Sequence, residues 1–341
     1  MGNSFTAGGN ALVVGGTGPT GGPLVEMLLA EGLEVTLFHS GAHEVPSSRP
    51  VEHIHGDPRD RDSISASLDG RRWHVAICTS GRLLYLAEAL RGKVDRLVGI
   101  TGSPVYAGTM RPLPEGRLRL PVSEDAERQS TQPGYSSRIA SGEDSLLDAH
   151  ARGEFEAVIV RYPGIYGPRA PLNNEWVIVR HCLDKREYIL VADGGVTYFH
   201  RAFASNAARL VFLCASHPNA AGEAFNAGDE KVMSTAEIVE VISHELQSPL
   251  AIESVPAVAC RGLFPMADRS SQILDMSKAR DMLGYRDELD VEAATRQTAC
   301  WLAGQVIDAD DNRAGGPPQI DYAREDTIRQ WWTSAVAGLP A

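Results

Sequence analysis

Apolar positions in the first half of the chain come in short strand-like runs, at residues 11–14, 35–38, 51–55, 75–78, 96–101 and 157–161. Between them the apolar positions recur every three or four residues. Residues 23–31 put Leu24, Met27, Leu28 and Ala30 on one face, which predicts a helix. Residues 59–68, 82–90 and 135–150 read as helices too. Strands alternating with helices, most of the strands apolar throughout, predict an α/β fold with a doubly wound parallel sheet covered on both faces.

After Tyr166 the rhythm loosens at Gly167-Pro168-Arg169-Ala170-Pro171. A helix over 175–183, strands at 189–192 and 196–199, a helix over 205–216, a strand at 223–227 and a helix over 235–247 are expected. This divides the chain into a core at 8–166, with returning segments near 196–230, and a smaller C-terminal lobe, mainly 167–303 and interleaved with it. A linker and a terminal helix occupy 304–341. Residues 308–318 are rich in Asp, Gly and Pro. The helix at 321–335 carries Trp331 and Trp332 and is too apolar for a free tail.

The formal charge of −12 argues against nucleic acid or an anionic membrane as partner. No apolar run approaches the roughly 20 residues that span a bilayer, and no signal peptide is evident. Met1-Gly2 with Thr6 fits a myristoylation pattern that arises easily by chance. Five dispersed cysteines read as free, buried thiols, which with the missing leader point to the cytoplasm. His53 and His55 share one strand face with no third ligand nearby in sequence, so no metal site is expected.

The strongest local signal is Val13-Val14-Gly15-Gly16-Thr17-Gly18-Pro19-Thr20-Gly21-Gly22, which follows a buried strand and opens a helix. Gly15, Gly18 and Gly21 have the spacing by which a Rossmann domain makes a tight turn, admits a pyrophosphate and packs its helix. A dinucleotide is therefore expected on Gly15, Thr17, Gly18, Pro19, Thr20 and Gly21, against the positive end of the helix. The second strand ends in His39-Ser40 with no acid to hold a ribose, which tilts the expectation from NAD toward NADP. Asp57 either accepts from the adenine amino group or caps the following helix.

The glycine spacing, Gly56-Asp57, Val98–Tyr106 with Tyr135, the segment from Arg161 to Arg169, and Phe225-Asn226-Ala227-Gly228-Asp229 together resemble the extended short-chain dehydrogenases, the NAD-dependent epimerase/dehydratase family. The resemblance covers roughly residues 10 to 303. It implies a C-terminal substrate lobe, a Tyr135 acid/base, and a homodimer through the helices at 82–90 and 135–150. It also brings Tyr162, Pro163 and Gly164 to the nicotinamide. The family's lysine falls on Ile139 and its serine on Gly102. Arg138, Thr101 and Ser103 are the nearest substitutes. Gly164 stands where many nucleotide-sugar members carry asparagine, which argues against a diphosphate sugar. Arg169, His200 and Arg201 are candidate substrate contacts.

The leading expectation is an NAD(P)-dependent oxidoreductase or epimerase acting on a secondary alcohol or carbonyl of a small molecule. The two departures keep open a dinucleotide-binding sensor without turnover, and a non-redox lyase or isomerase.

Overall fold

The computed structural model describes residues 5, 8–42, 44, 46–108, 119–129, 134–170, 174–263, 271–305, 318 and 320–338. In chain order the elements begin with β1 (Asn10–Val14), α1 (Gly21–Ala30), β2 (Glu34–His39), β3 (Glu52–His55), α2 (Arg61–Ser67), β4 (Trp73–Cys78) and α3 (Leu83–Ala89). They continue with β5 (Val94–Gly102), α4 (Tyr135–Ala151), β6 (Glu156–Tyr162), β7 (Gly164–Tyr166), α5 (Asn174–Leu183), β8 (Tyr188–Ala192) and β9 (Arg201–Phe203). The last are α6 (Ala204–Ser216), β10 (Ala224–Asn226), α7 (Thr235–Glu245), β11 (Ala251–Val255), α8 (Ser277–Leu283), α9 (Val291–Ala303) and α10 (Tyr322–Ala337). They fall into two compact units, the first comprising Met1–Ile165, Arg201–Glu230 and Leu274–Glu288.

Unit one is a seven-stranded sheet in the order β10-β6-β5-β4-β1-β2-β3, with every pairing parallel. Successive side chains of a strand face opposite ways, so a strand apolar throughout supplies two cores. Ala11, Val13, Val75, Ile77, Val98, Val158 and Val160 join Leu24 and Leu28 of α1 and Val211 and Phe212 of α6 on one face. Leu12, Val14, Ala76, Cys78, Leu97 and Ile159 join Leu86 of α3 and Leu146 of α4 on the other. The doubly wound sheet expected from the sequence is what forms.

Unit two comprises Tyr166–His200, Lys231–Ile273 and Leu289–Ala341. Its β8 and β11 pair in parallel, and α5, α7 and α9 share an apolar cluster around Val177, Val239 and Ala299. The terminal helix is anchored by Glu325, whose carboxylate accepts from Leu190 N and contacts His181 Nε2, both groups buried. Trp332 packs against the Tyr188–Leu190 cluster, while Trp331 is exposed.

Two expectations need correction, the strand at 196–199 and the burial of every cysteine. Residues 196–199 make only isolated bridges, at Tyr198 and Phe199. The left-handed turn at Asp193, Gly194 and Gly195 precedes them, and the strand begins at Arg201. The segments β11, α8 and α9 were not read from the pattern at all. Of the cysteines, Cys300 is exposed while the other four are buried. The linker at 308–318 lies outside the described residues apart from Pro318. No helix among the described residues is long and apolar enough to cross a membrane.

One carboxyl of unit one is held against its ordinary ionisation. Burial pushes Asp287 up to about 7, with the charges of Asp229 and Glu230 adding to it and the Glu230 amide opposing. A carboxyl raised in the folded state destabilises it as pH climbs from the unfolded value through the folded one. Asp287→Asn is therefore expected to match the parent near pH 4 and to exceed it by several degrees in unfolding midpoint above pH 7. Thermal unfolding across that range checks this, and a pH-independent difference would contradict it.

Candidate active site

The turn after β1 is shaped by glycines with different duties. Gly15 and Gly16 adopt left-handed backbone, at φ 97° and 64°. A Cβ on Gly15 would lie 2.4 Å from Thr79 Oγ1, and one on Gly21 would lie 2.3 Å from the Gly16 carbonyl. Side chains are excluded there by protein. At Gly18 a Cβ would meet nothing within 4 Å, so its missing side chain leaves open space. Thr20, the N-cap of α1, makes no side-chain capping bond, so its hydroxyl satisfies none of the first-turn amides. Open backbone at a positive helix end fits a pyrophosphate. Thr17 and Pro19 complete the turn, with the Thr17 amide donating to Gly15 O at 2.8 Å.

At the end of β2, His39 is buried and faces His53, Nε2 to Nδ1 at 2.9 Å, while Ser40 is exposed. Asp57 is exposed and accepts from the Arg59 amide at 2.8 Å. The cap of α2 is Asp60, accepting from Ser63 N, so the helix-cap reading of Asp57 falls.

A cleft of about 930 Å³ opens beside this turn at the carboxyl ends of β4 and β5, lined in part by Thr79, Thr101, Tyr135, Arg138, Ile139 and Tyr162. Ligands of open parallel sheets bind at this end of the strands. Arg59, Arg82 and Arg138 line it, and its described lining holds no acidic side chain. A cationic wall on a chain of charge −12 focuses an attractive field for anions. A separate hollow of about 630 Å³, between Asn10, Glu34 and Arg72, opens at the amino ends of β1 and β2, away from these groups.

Tyr135 opens α4 with 57% of its surface exposed, and Arg138 stands exposed on the same helix. Of the two hydroxyl candidates, Thr101 lines the cleft; Ser103 is buried and does not. Ile139, where the family carries lysine, packs toward Val105, Tyr106 and Ala140. A Cβ on Gly102 would sit 3.0 Å from Pro104 Cδ, so a serine there would need the proline ring to give.

Beneath the cleft lies a network that sequence reasoning missed. Thr101 Oγ1 donates to Glu143 Oε1 at 2.8 Å, and Glu143 is fully buried. Arg161 donates to both carboxylate oxygens, at 3.0 and 2.7 Å, and Arg128 donates to Oε2 at 3.2 Å. Arg161 also reaches Tyr106 Oη at 3.0 Å, and Tyr106 donates to Asn226 at 2.6 Å. Burial works against the Arg161 charge, but the hydrogen bonds and charge of Glu143 raise its pKa nonetheless. Burial pushes Tyr106 up to about 12. Thr79 was missed too: its hydroxyl donates to Val14 O and accepts from Gly16 N, stapling β4 to the glycine turn.

Tyr162 ends β6 at the cleft, its hydroxyl pushed up by burial and so poorly suited to exchange protons. Pro163 and Gly164 follow it, half-buried. Arg169 is exposed with left-handed backbone, at φ 67°. His200 and Arg201, the other two candidate substrate contacts, are buried.

No family model matches the chain. It is 25% identical over 267 residues to the UDP-glucose 4-epimerase of Vibrio cholerae, covering 75% of this chain and 78% of that protein. It is 24% identical over 327 residues to the UDP-N-acetyl-alpha-D-glucosaminuronate decarboxylase of Bacillus cytotoxicus, covering 85% and 97%. The solved Thermus thermophilus UDP-glucose 4-epimerase, a complex with NAD, superposes at TM-score 0.67 with 19% identity, over 87% of this chain and 100% of that one. The two relatives carry epimerase and decarboxylase names, in keeping with the resemblance drawn from the motifs, and the solved neighbour shares the fold.

The glycine geometry separates two effects. Gly18→Ala is expected to keep the unfolding midpoint within a degree or two while weakening dinucleotide binding at least tenfold. Gly21→Ala, with its Cβ against backbone, should lower the midpoint itself. Calorimetric titration beside thermal unfolding distinguishes them, and equal effects of the two variants would contradict the assignment.

Proposed function

We propose that the chain is an NAD-dependent enzyme of the epimerase or oxidoreductase type, acting on a secondary alcohol or carbonyl of a small molecule. The observation that carries this reading is one cleft, walled by arginines without a described carboxylate, that runs from beside the glycine turn to Tyr135 and Thr101. Gly15, Thr17, Gly18, Pro19, Thr20 and Gly21 would hold the pyrophosphate. NAD is preferred to NADP because neither His39 nor Ser40 offers a fixed positive charge for a 2′-phosphate. Burial, then the neighbouring His53 and His55, lowers the His39 pKa and keeps the ring neutral. The solved Thermus neighbour, a complex with NAD, supports the same choice.

Bound NAD would supply the hydride acceptor for the substrate carbon. Tyr135 would take the hydroxyl proton of that carbon, or return it to the carbonyl oxygen. Thr101 already commits its proton to Glu143, so toward substrate it offers a lone pair and orients a hydroxyl. Arg138 lines the same cleft and would offer its fork to a ribose, but it cannot relay a proton as readily as lysine. Gly164 argues against a diphosphate-sugar substrate. The homodimer through α3 and α4 belongs to this proposal and is tested by light scattering.

The Ile139 contact with the Val105 and Tyr106 cluster favours a second reading, a dinucleotide-binding sensor without turnover. A screen of secondary alcohols and ketones, followed by NADH absorbance in single turnover, separates the two. Turnover supports the enzyme. With a substrate in hand, Tyr135→Phe should lower the rate about 100-fold or more at unchanged NAD affinity. Thr101→Val should raise KM with a smaller loss of kcat. An unchanged rate in Tyr135→Phe would contradict the acid/base role.

A further inference from the structure

Four side chains that are dispersed in sequence converge beside the carboxyl ends of β2 and β3. His39 ends β2, Glu44 lies in the loop after it, and His53 and His55 share one face of β3. The parallel register sets His39 beside His55 and Leu37 beside His53, so the imidazoles meet on one side of the sheet. Ring centroids of His39 lie 5.1 Å from His53 and 5.0 Å from His55. His55 Nε2 is 3.5 Å from the Glu44 carboxylate. One nitrogen or oxygen from each of the four lies within 4.8 Å of all the others. The sequence offered His53 and His55 no third ligand; the fold supplies two.

We propose that His39, Glu44, His53 and His55 form a binding site for a divalent transition-metal ion of the zinc class. Three imidazoles and one carboxylate are a donor set that suits zinc, with bonds of about 2.0–2.2 Å in tetrahedral geometry. Such bonds put ligand atoms roughly 3.3 Å apart. The His39–His53 pair is already at 2.9 Å, and the exposed Glu44 and His55 can close the remaining gap by rotation. Those two exposed residues also leave a path for the ion to enter. His39 is 3% exposed and its ring stands between those of His53 and His55, which fixes its place in the cluster.

The proton arrangement has a definite consequence. His39 Nδ1 accepts from the Gly41 amide at 3.2 Å, which puts the ring proton on Nε2, facing His53 Nδ1. A metal ion between these two nitrogens moves that proton to Nδ1, so the Gly41 amide must turn away. Gly41, at φ 77°, sits in the loop that also carries Glu44. Loading therefore ties β2, its loop and β3 through one ion and reshapes the loop.

The test uses the full chain, stripped with chelator and dialysed against zinc alone and, separately, cobalt alone. One equivalent of zinc is expected, with a raised unfolding midpoint and, for cobalt, the visible bands of a tetrahedral site. His53→Ala/His55→Ala should weaken zinc binding at least tenfold and abolish the bands, while leaving the exposed Cys300 in place as a control. The exposed single variant His55→Ala keeps the test decisive should the double variant fold poorly. Uptake below a tenth of an equivalent in the parent, or affinity unchanged in the histidine variants, would overturn the proposal.

Discussion

A carboxylate with no exposure to water, Glu143, is the constraint around which the candidate site is arranged. It projects from the middle of α4, the helix that opens with Tyr135. Leaving such a charge unpaired costs about 3–5 kcal/mol, so its partners must be in place for the helix to dock. Arg161 comes from β6 and Thr101 from β5, and Arg128 completes the pairing. One buried charge thus sets the helix bearing the acid/base candidate against the two strands that form the cleft floor. It also fixes what Thr101 can do, because a hydroxyl with one proton cannot give it twice.

The glycine turn applies the same logic without charge. Gly15 and Gly21 lack side chains because protein atoms occupy the space, whereas Gly18 lacks one where space is free. The first two are conditions of folding, and the third leaves open space at the start of α1. Thr79 belongs with the folding group, since its hydroxyl holds the turn to β4.

How far the sequence disclosed this depends on the range of the interactions. Strands and helices up to residue 162 were legible because each apolar run and helical stripe is local. The glycine turn was legible because its spacing and its neighbours lie within about thirty residues, as the motif requires. Glu143 was not, since nothing in the helix pattern of 135–150 distinguishes a buried carboxylate from a solvated one. Its meaning lies in Arg161, on another element, and an arginine at the end of a buried strand was the available signal. The histidine cluster was only partly visible for the same reason. His53 and His55 were visible as a pair, but His39 joins them only through strand register. Unit two was read least well, as β11 and α9 pack through contacts distant in sequence.

The proposed function requires the glycine turn and the arginine-walled cleft to hold one NAD molecule with its reactive end at Tyr135. A crystal structure of the chain grown with NAD tests it most directly. The pyrophosphate is expected over Gly18 and the nicotinamide in the cleft, with space for a substrate atom about 3–3.5 Å from both the ring and Tyr135 Oη. A dinucleotide bound elsewhere, or a nicotinamide ring turned away from Tyr135 and Thr101, would contradict it.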